Sequence, residues 1–350
     1  MTRDASRQVR ILREDETILL PDSLACTAGF VGLEPWLRFV RSVYKFPVYR
    51  LVSQTGDEID GWLAMVRVKH AVFGDYLTTS PFGSYGGFAF TSLASRDALL
   101  AKAQSLGYEL GVEYVNIRFD AGEESPPDGW IQHPVYATYL VDLVADPSQS
   151  MNTYSSDHRN HIRKSLKRGF SIKFGHLELL DDAYEALARS MHELGSPYHS
   201  KYYLRAMAES LGEALEFAIV YGPTGDLAGA GVFILQGNLV TNLHANILRR
   251  FRSDYAGEFL YWSALERYFR KGLKTFDLGR SLIGSGNETF KMKWRPRRQS
   301  LAYWYTLMPG HPLPALNQKN PKFRLAISLW KRMPAFVVRW LGPSLIKGLA

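Results

Sequence analysis

Residues 277–294 read DLGRSLIGSGNETFKMKW. The apolar lead-in KTF ends in Asp277, Gly279, Gly284 and Gly286 break the middle, and Lys291 stands near the far end. A glycine-rich loop after a strand is first tested as a phosphate loop, because that reading alone would set the whole fold. A P-loop requires G-x-x-x-x-G-K-[ST] between a strand and a helix. Gly279 and Gly284 have that spacing, but Ser285 stands where the lysine must be. The dinucleotide fingerprint fails as well, since GSGNET lacks its third small residue. NETFKMKW reads as running on into a strand. The stretch is a turn-rich connection in a sheet.

Lys291, between Phe290 and Met292, calls for an explanation, because a lysine is costly to hide unless it is paired. At the mouth of a cleft it can bind a carboxylate or phosphate, or stabilise charge on a carbonyl under attack. Arg280 can share that task. Asp277 either closes the turn beside Gly279 or accepts a proton.

Outward from this stretch the chain reads as mixed α and β. AGEFLYWSALERYFRKGL (256–273) carries Phe259, Leu260, Trp262, Ala264, Leu265 and Phe269 on an apolar face, so it is an amphipathic helix. Ahead of it EFAIVYG, LAGAGVFILQG and LVTNLHANI read as three strands, and LAYWYTL after it as the last strand. The N-terminal half runs GWLAMVRVKH, DYLTTS, the glycine-rich SPFGSYGGF, a helix over 92–111 and VEYVNIRF, with ATYLVDL closing it. This order matches that of the second half, so the chain reads as a structural duplication. The polar break ADPSQS (145–150) marks the boundary, giving units over 1–150 and 151–310 and a tail over 311–350.

Three other features carry candidate chemistry. YSSDHRNHIRKSLKRGF (154–170) is a helix capped by Ser155, Ser156 or Asp157 and ended by Gly169. It aligns Arg159, Arg163 and Lys167 in one row, and like charges at that spacing invite an anionic partner or simply form a solvated face. His158 and His161 read as a surface pair with no third metal ligand, so no metal site is expected. The connection RRFRSDYAGE (249–258) leads a strand into a helix N-terminus, a ready place for an anion. There Arg250, Arg252 and Gly257 are candidates for holding a pyrophosphate, although the loop lacks an inner glycine. The segment Pro321–Ala350 has Lys322, Arg324, Lys331, Arg332, Arg339 and Lys347, with Trp330 and Trp340, and no acid. It reads as a basic amphipathic tail for an anionic membrane surface, or as a helix pair docked on the fold.

Composition agrees with a globular chain. Of 350 residues, 46% are hydrophobic, enough for two full cores. The lone cysteine, Cys26, excludes an intramolecular disulfide and fits a reducing cytoplasm. The first thirty residues do not read as a signal peptide, and no apolar run approaches the roughly 20 residues that span a bilayer. The expectation is a soluble cytoplasmic protein, or one peripheral to the inner face of the membrane. A net charge of +8 favours an anionic partner.

The order HRNHIRKSLKRGF, LGSPYHSKYYLRAM, LYWSALERYFRKGLKTFDLGRSLIGSGNETFKMKW resembles the FemAB-like branch of the GNAT superfamily. FDLGRS and FKMKW are its most specific pieces. The ending NPKFRLAISLWKRMP…LGPSLIKGLA resembles FemAB-related proteins of exosortase (PEP-CTERM) exopolysaccharide systems. The resemblance implies an α/β (α+β) fold of two tandem GNAT-like domains, each a mixed sheet flanked by helices. It implies transfer of an acyl or aminoacyl group to an amine of a cell-envelope glycan, peptidoglycan or exopolysaccharide precursor. The co-substrate would be acyl-CoA or aminoacyl-tRNA, with no tightly bound cofactor. Partners would be an anionic or lipid-linked glycan and tRNA as a candidate. The Phe290-Lys291 pair would lie near the acceptor and the reaction channel, with Trp294 beside it. An amino-sugar N-acetyltransferase and a non-catalytic assembly factor are the competing readings.

Overall fold

The computed structural model describes residues 6–120, 122, 124–143, 146–314 and 321–350, without the side chains of 147 and 321–326. In chain order the elements are β1 (Arg7–Ile11), α1 (Asp22–Ala28), α2 (Glu34–Tyr44), β2 (Val48–Thr55), β3 (Glu58–His70), β4 (Gly74–Thr78), β5 (Phe88–Phe90), α3 (Leu93–Leu110), β6 (Tyr114–Phe119), β7 (Ile131–Gln132), β8 (Tyr136–Asp142), α4 (Pro147–Ser150), α5 (Ser156–Leu166) and β9 (Ser171–Gly175). There follow α6 (Leu180–Leu194), α7 (Lys201–Leu211), β10 (Leu215–Tyr221), β11 (Leu227–Gln236), β12 (Leu239–Ile247), α8 (Ala256–Arg270), β13 (Thr275–Asp277), β14 (Ser281–Leu282), α9 (Gly286–Met292), β15 (Arg297–Ser300), β16 (Ala302–Leu307), α10 (Pro321–Arg332) and α11 (Ala335–Ile346).

The chain forms two units, each with its own sheet. The first comprises Met1–Tyr136, Ser300–Ala315 and Gly348–Ala350, and the second Ala137–Gln299 and Leu316–Lys347. The first sheet runs β1-β2-β3-β4-β6-β16-β7 with β5 on β3, and the second β14-β8-β13-β12-β11-β10-β9 with β15 on β8. In the first, β4 and β6 are parallel and joined by the crossover helix α3; in the second, β12 and β13 are parallel and joined by α8. The duplication is therefore one of topology: an antiparallel run, a parallel pair through a helix, then an antiparallel strand beyond it.

That last strand corrects the sequence reading. ATYLVDL was placed in the first half, but β8 pairs with β13 in the second sheet, Thr275 to Asp142 through Asp277 to Leu140. LAYWYTL was placed in the second half, but β16 pairs with β6 in the first sheet, Ala302 to Phe119 through Leu307 to Tyr114. Alternation identifies a strand but not its partner, which long-range hydrogen bonds select. For the same reason the chain passes between units at 136–137, ahead of the polar break. Residues 147–150 of that break form α4 inside the second unit, and residues 144 and 145 lie outside the described part.

Local chemistry starts and stops the helices. The side chains of Ser92 and Ser95 make a reciprocal cap on α3, and Gly111 ends it in the left-handed region at φ 64°. Ser155 caps α5 through the His158 N–H, and the helix stops at Leu166, short of Gly169. In the first unit, Leu99, Leu100, Ala103 and Leu106 of α3 pack on Leu51, Leu63, Leu77 and Val115. In the second, Leu260, Ala264, Leu265 and Tyr268 of α8 pack on Phe233, Val240 and Phe276.

Candidate active site

The second unit diverges where its parallel pair ends. Backbone pairing of β12 with β13 stops at Thr241 and Asp277, and β12 bulges at Leu243. Gly279 then turns the chain at φ 78°, and a Cβ there would lie 2.7 Å from the Asn242 carbonyl, so only glycine fits. Asn242 Nδ2 bridges the opening by donating to the Leu278 carbonyl (3.2 Å) and to Tyr261 Oη (2.8 Å). In parallel sheets, ligands lie outside the carboxyl ends of such strands.

Lys291 enters at this place. NETFKMKW does not run into a strand: residues 286–292 form α9, capped by the Ser285 side chain on the Glu288 N–H. The S-x-x-E spacing of Ser285 and Glu288 is a sequence signal for such a start, and the strand reading overlooked it. Glu288 Oε2 accepts from the Gly284 N–H, and Oε1 from Tyr139 Oη (2.8 Å) and Arg298 Nε (3.1 Å). α9 is thereby fixed to β8. The Gly284 N–H, and then the Tyr139 hydroxyl, hold the Glu288 carboxyl below its ordinary pKa. Burial, and then the bond to Glu288, push the Tyr139 phenol up to about 12.

On the inner side of α9, Lys291 is 8% exposed. Its Nζ donates to the carbonyls of Gly279 (2.6 Å) and Arg280 (2.8 Å), and lies 5.6 Å from the Tyr139 ring centroid. Burial lowers its pKa to about 8, against the pull of Asp277 and with the repulsion of Arg280. An ammonium has three N–H donors, and these two bonds use two of them.

Asp277 is fully buried at the end of β13. One carboxylate oxygen accepts from the Thr138 hydroxyl and from the Gly279 N–H (2.8 Å). This carboxylate closes the turn beside Gly279 and is a counter-charge for Lys291. Arg280 is partly buried and contributes its backbone carbonyl to Lys291.

Trp294 is also corrected. It is buried, with Tyr154, His158, Tyr261 and Phe290 ringing it at centroid distances of 4.6–6.4 Å, so it is core and not a substrate contact. His158, read as half of a surface pair, is buried beneath it; neither ring nitrogen has a partner among the described residues. Burial pulls its pKa down to about 4, with Lys293 next. The i, i+3 spacing put both histidines on one side of α5, and only the packing of α5 against α8 showed that side to face inward. His161 stacks on Tyr255 at 4.2 Å. Phe290 is half-buried, its ring 3.7 Å from where a Cβ on Gly257 would stand.

The basic row separates. The Arg159 guanidinium donates to the Tyr154 carbonyl (2.6 Å) and is spent on its own chain, while Arg163 and Lys167 are exposed. Neither has a carboxylate partner among the described residues. In the connection before α8, Arg252 Nε donates to the Ile247 carbonyl (3.0 Å), and Arg250 lies 3.6 Å from Asp226. Both arginines are engaged locally. At the α8 N-terminus Tyr255 takes the left-handed position at φ 63°, and no side chain caps the helix. Glu258, buried in its first turn, lies 3.8 Å from His161 and 4.0 Å from Lys293.

Sequence reasoning missed Tyr139, Thr138, Asn242, Tyr261 and Glu288, which shape the surroundings of Lys291. It also missed His244 on β12, whose Nε2 has no partner among the described residues and whose pKa burial lowers to about 4. Among the described residues no three His, Cys, Asp or Glu side chains converge as metal ligands.

Residues 156–292, from α5 through Lys291, match the model of an acetyltransferase (GNAT) domain. Solved structures extend the likeness to both units. The fold is a tandem GNAT fold. FemX superposes with a TM-score of 0.63 at 12% identity, over 80% of this chain and 92% of that one. A tandem GNAT protein from the clavulanic acid biosynthesis pathway gives 0.53 at 13%, over 86% and 98%. The C-terminal domain (DUF2156) of a protein described as a lysylphosphatidylglycerol synthetase, from Agrobacterium fabrum, gives 0.51 at 12%, over 76% and 85%. Such identities speak for the fold alone. No curated protein sequence matches the chain. Within the GNAT fold the matched segment holds the divergent strand pair and Lys291, and the first unit lies outside it.

Proposed function

We propose that this chain is an N-acyltransferase that moves an acyl or aminoacyl group from an activated ester or thioester to an amine of a cell-envelope glycan or peptidoglycan precursor. One observation carries the reading. Lys291 is buried at the end of the parallel pair, with two N–H groups on backbone carbonyls and a third remaining.

The chemistry follows from that donor. The acceptor nitrogen attacks the donor carbonyl, a C–N bond forms, and the carbonyl π pair moves to oxygen. The third N–H of the buried Lys291 meets that developing oxyanion, and a fixed charge shielded by burial acts strongly there. Collapse expels the thiolate of a CoA thioester or the ribose oxygen of an aminoacyl ester. The proton leaving the new amide nitrogen neutralises that leaving group. Exposed Arg163 on α5 and Lys167 just past its end supply charge for substrate phosphate.

The envelope acceptor is supported by the likeness of FDLGRS and FKMKW to FemAB-like proteins. The exosortase-system likeness of the C-terminal segment favours an exopolysaccharide precursor in the same class. The match of residues 156–292 to an acetyltransferase (GNAT) domain speaks for an acyl-CoA donor, with aminoacyl-tRNA as the alternative.

The test is single-turnover transfer of labelled acyl group from acetyl-CoA and from aminoacyl-tRNA to amine-bearing envelope precursors. Transfer that Lys291→Met abolishes in a folded protein supports the reading. Undiminished transfer by that variant removes Lys291 from the chemistry. No transfer from either donor, with the precursor still bound, would make the chain a non-catalytic binding protein.

A further inference from the structure

Helix α11 has two opposite faces. Val338 and Gly342, four residues apart, are buried toward the second unit, and a Cβ on Gly342 would lie 2.9 Å from the Tyr198 carbonyl. Arg339 fastens the same helix through Glu185 (2.6 Å). In α10, Trp330 is buried, with its carbonyl 3.2 Å from His192 Nε2. The segment is thus docked on α6.

The other face has no such role. Phe336 is 74% exposed and Trp340 77%, again four residues apart, so they stack along one side of the helix, turned from Val338 by two residues. Leu329, at the end of α10, is 52% exposed. Lys331 and Arg332 are exposed between them, and neither has a carboxylate partner among the described residues. From 321 to 350 the sequence contains no Asp or Glu.

We propose that the Phe336–Trp340 face of α11, with Lys331 and Arg332, seats this protein on the surface of an anionic phospholipid bilayer. Aromatic side chains that are apolar at one end favour the headgroup level, and neighbouring cations add attraction to anionic lipid. A helix lying in the interface buries such a face without spanning. No described helix is long and apolar enough to cross a membrane. A second copy of the chain fits less well. Two aromatic side chains of roughly 150–250 Å² each, with one leucine, fall short of the about 800 Å² per partner of a standard interface. A symmetric contact would also bring like cations together.

The experiment is co-sedimentation of the full chain with vesicles of phosphatidylcholine alone and of phosphatidylcholine mixed with phosphatidylglycerol. Binding is expected only to the mixed vesicles and should weaken with added salt. Phe336→Ser with Trp340→Ser, and separately Lys331→Glu with Arg332→Glu, should each reduce partitioning about tenfold or more. Trp340→Phe should retain most of it. Unchanged melting temperatures are expected, because these side chains face solvent. Absence of binding to the mixed vesicles would overturn the proposal, as would binding that survives the serine pair. A change of oligomeric state in the serine pair, seen by sedimentation velocity, would assign the face to a second copy instead.

Discussion

Lys291 Nζ donates to the Gly279 carbonyl at 2.6 Å, joining the end of α9 to the turn that follows β13. This bond places an ammonium where the parallel pair stops, and it depends on a residue at 279 that tolerates φ 78°.

The first consequence concerns Lys291 itself. If its charge stabilises the oxyanion, acyl transfer falls as pH rises through about 8, where burial has brought its pKa. A limb that rises through about 8 would make Lys291 the base instead. Lys291→Met should lower kcat about 100- to 1,000-fold, the usual cost of one oxyanion donor. Its folded pKa is depressed, so between pH 8 and the ordinary lysine value the unfolded chain holds the extra proton. Stability should rise with pH across that window, and Lys291→Met should flatten the slope in denaturant titrations.

Asp277 acts through Lys291. Asp277→Asn keeps an oxygen for Thr138 and Gly279 but removes the negative charge that holds the Lys291 proton. The limb near pH 8 should move to lower pH. A pH–rate profile with the limb unmoved would separate Asp277 from the site.

Glu288 fixes α9 through Tyr139, Arg298 and the Gly284 N–H. Glu288→Ala should cost about 1–3 kcal/mol of stability, the scale of hydrogen bonds to a charged group. It should also lower kcat more than it raises KM, because Lys291 loses its fixed position. Thermal melts and steady-state kinetics check both.

Acid should loosen the second unit. His158 and His244 are buried with pKa values near 4, and burial, followed by repulsion from His244, puts His199 well below the ordinary value. Between pH 6.5 and 4 the unfolded chain carries protons that the folded chain excludes, so stability is full above 6.5 and falls as pH drops. His158→Phe, which keeps an aromatic ring against Trp294, should reduce the fall in melting temperature between pH 7 and 5.

Glu216, buried on β10, binds both Arg267 and Lys271 of the α8 end. Glu216→Ala removes two charge-assisted hydrogen bonds but leaves Arg267 and Lys271, each about a third exposed, open to water, and should cost about 1–3 kcal/mol. Transfer per folded molecule should be unchanged, since none of the three touches the Lys291 site.

The sequence by itself determined what rests on neighbours within one or two turns. Ser92 and Gly111 bound α3, the apolar period of 256–273 gives α8, and alternation marks β10 to β12. The lysine in FKMKW was legible as an oddity because a charge beside Phe290 and Met292 has no cheap local explanation. Pairing between distant residues was not legible. Nothing near ATYLVDL or LAYWYTL says that β8 completes the second sheet and β16 the first, because each strand's partner lies more than a hundred residues away. The same holds for burial. His158 and Trp294 look like surface or site residues on their own segments, and become core only when α5, α8 and the turn after α9 close around them. Lys291 acquired its two carbonyl partners, its lowered pKa and its one remaining donor only through the tertiary meeting of α9 with the end of β13.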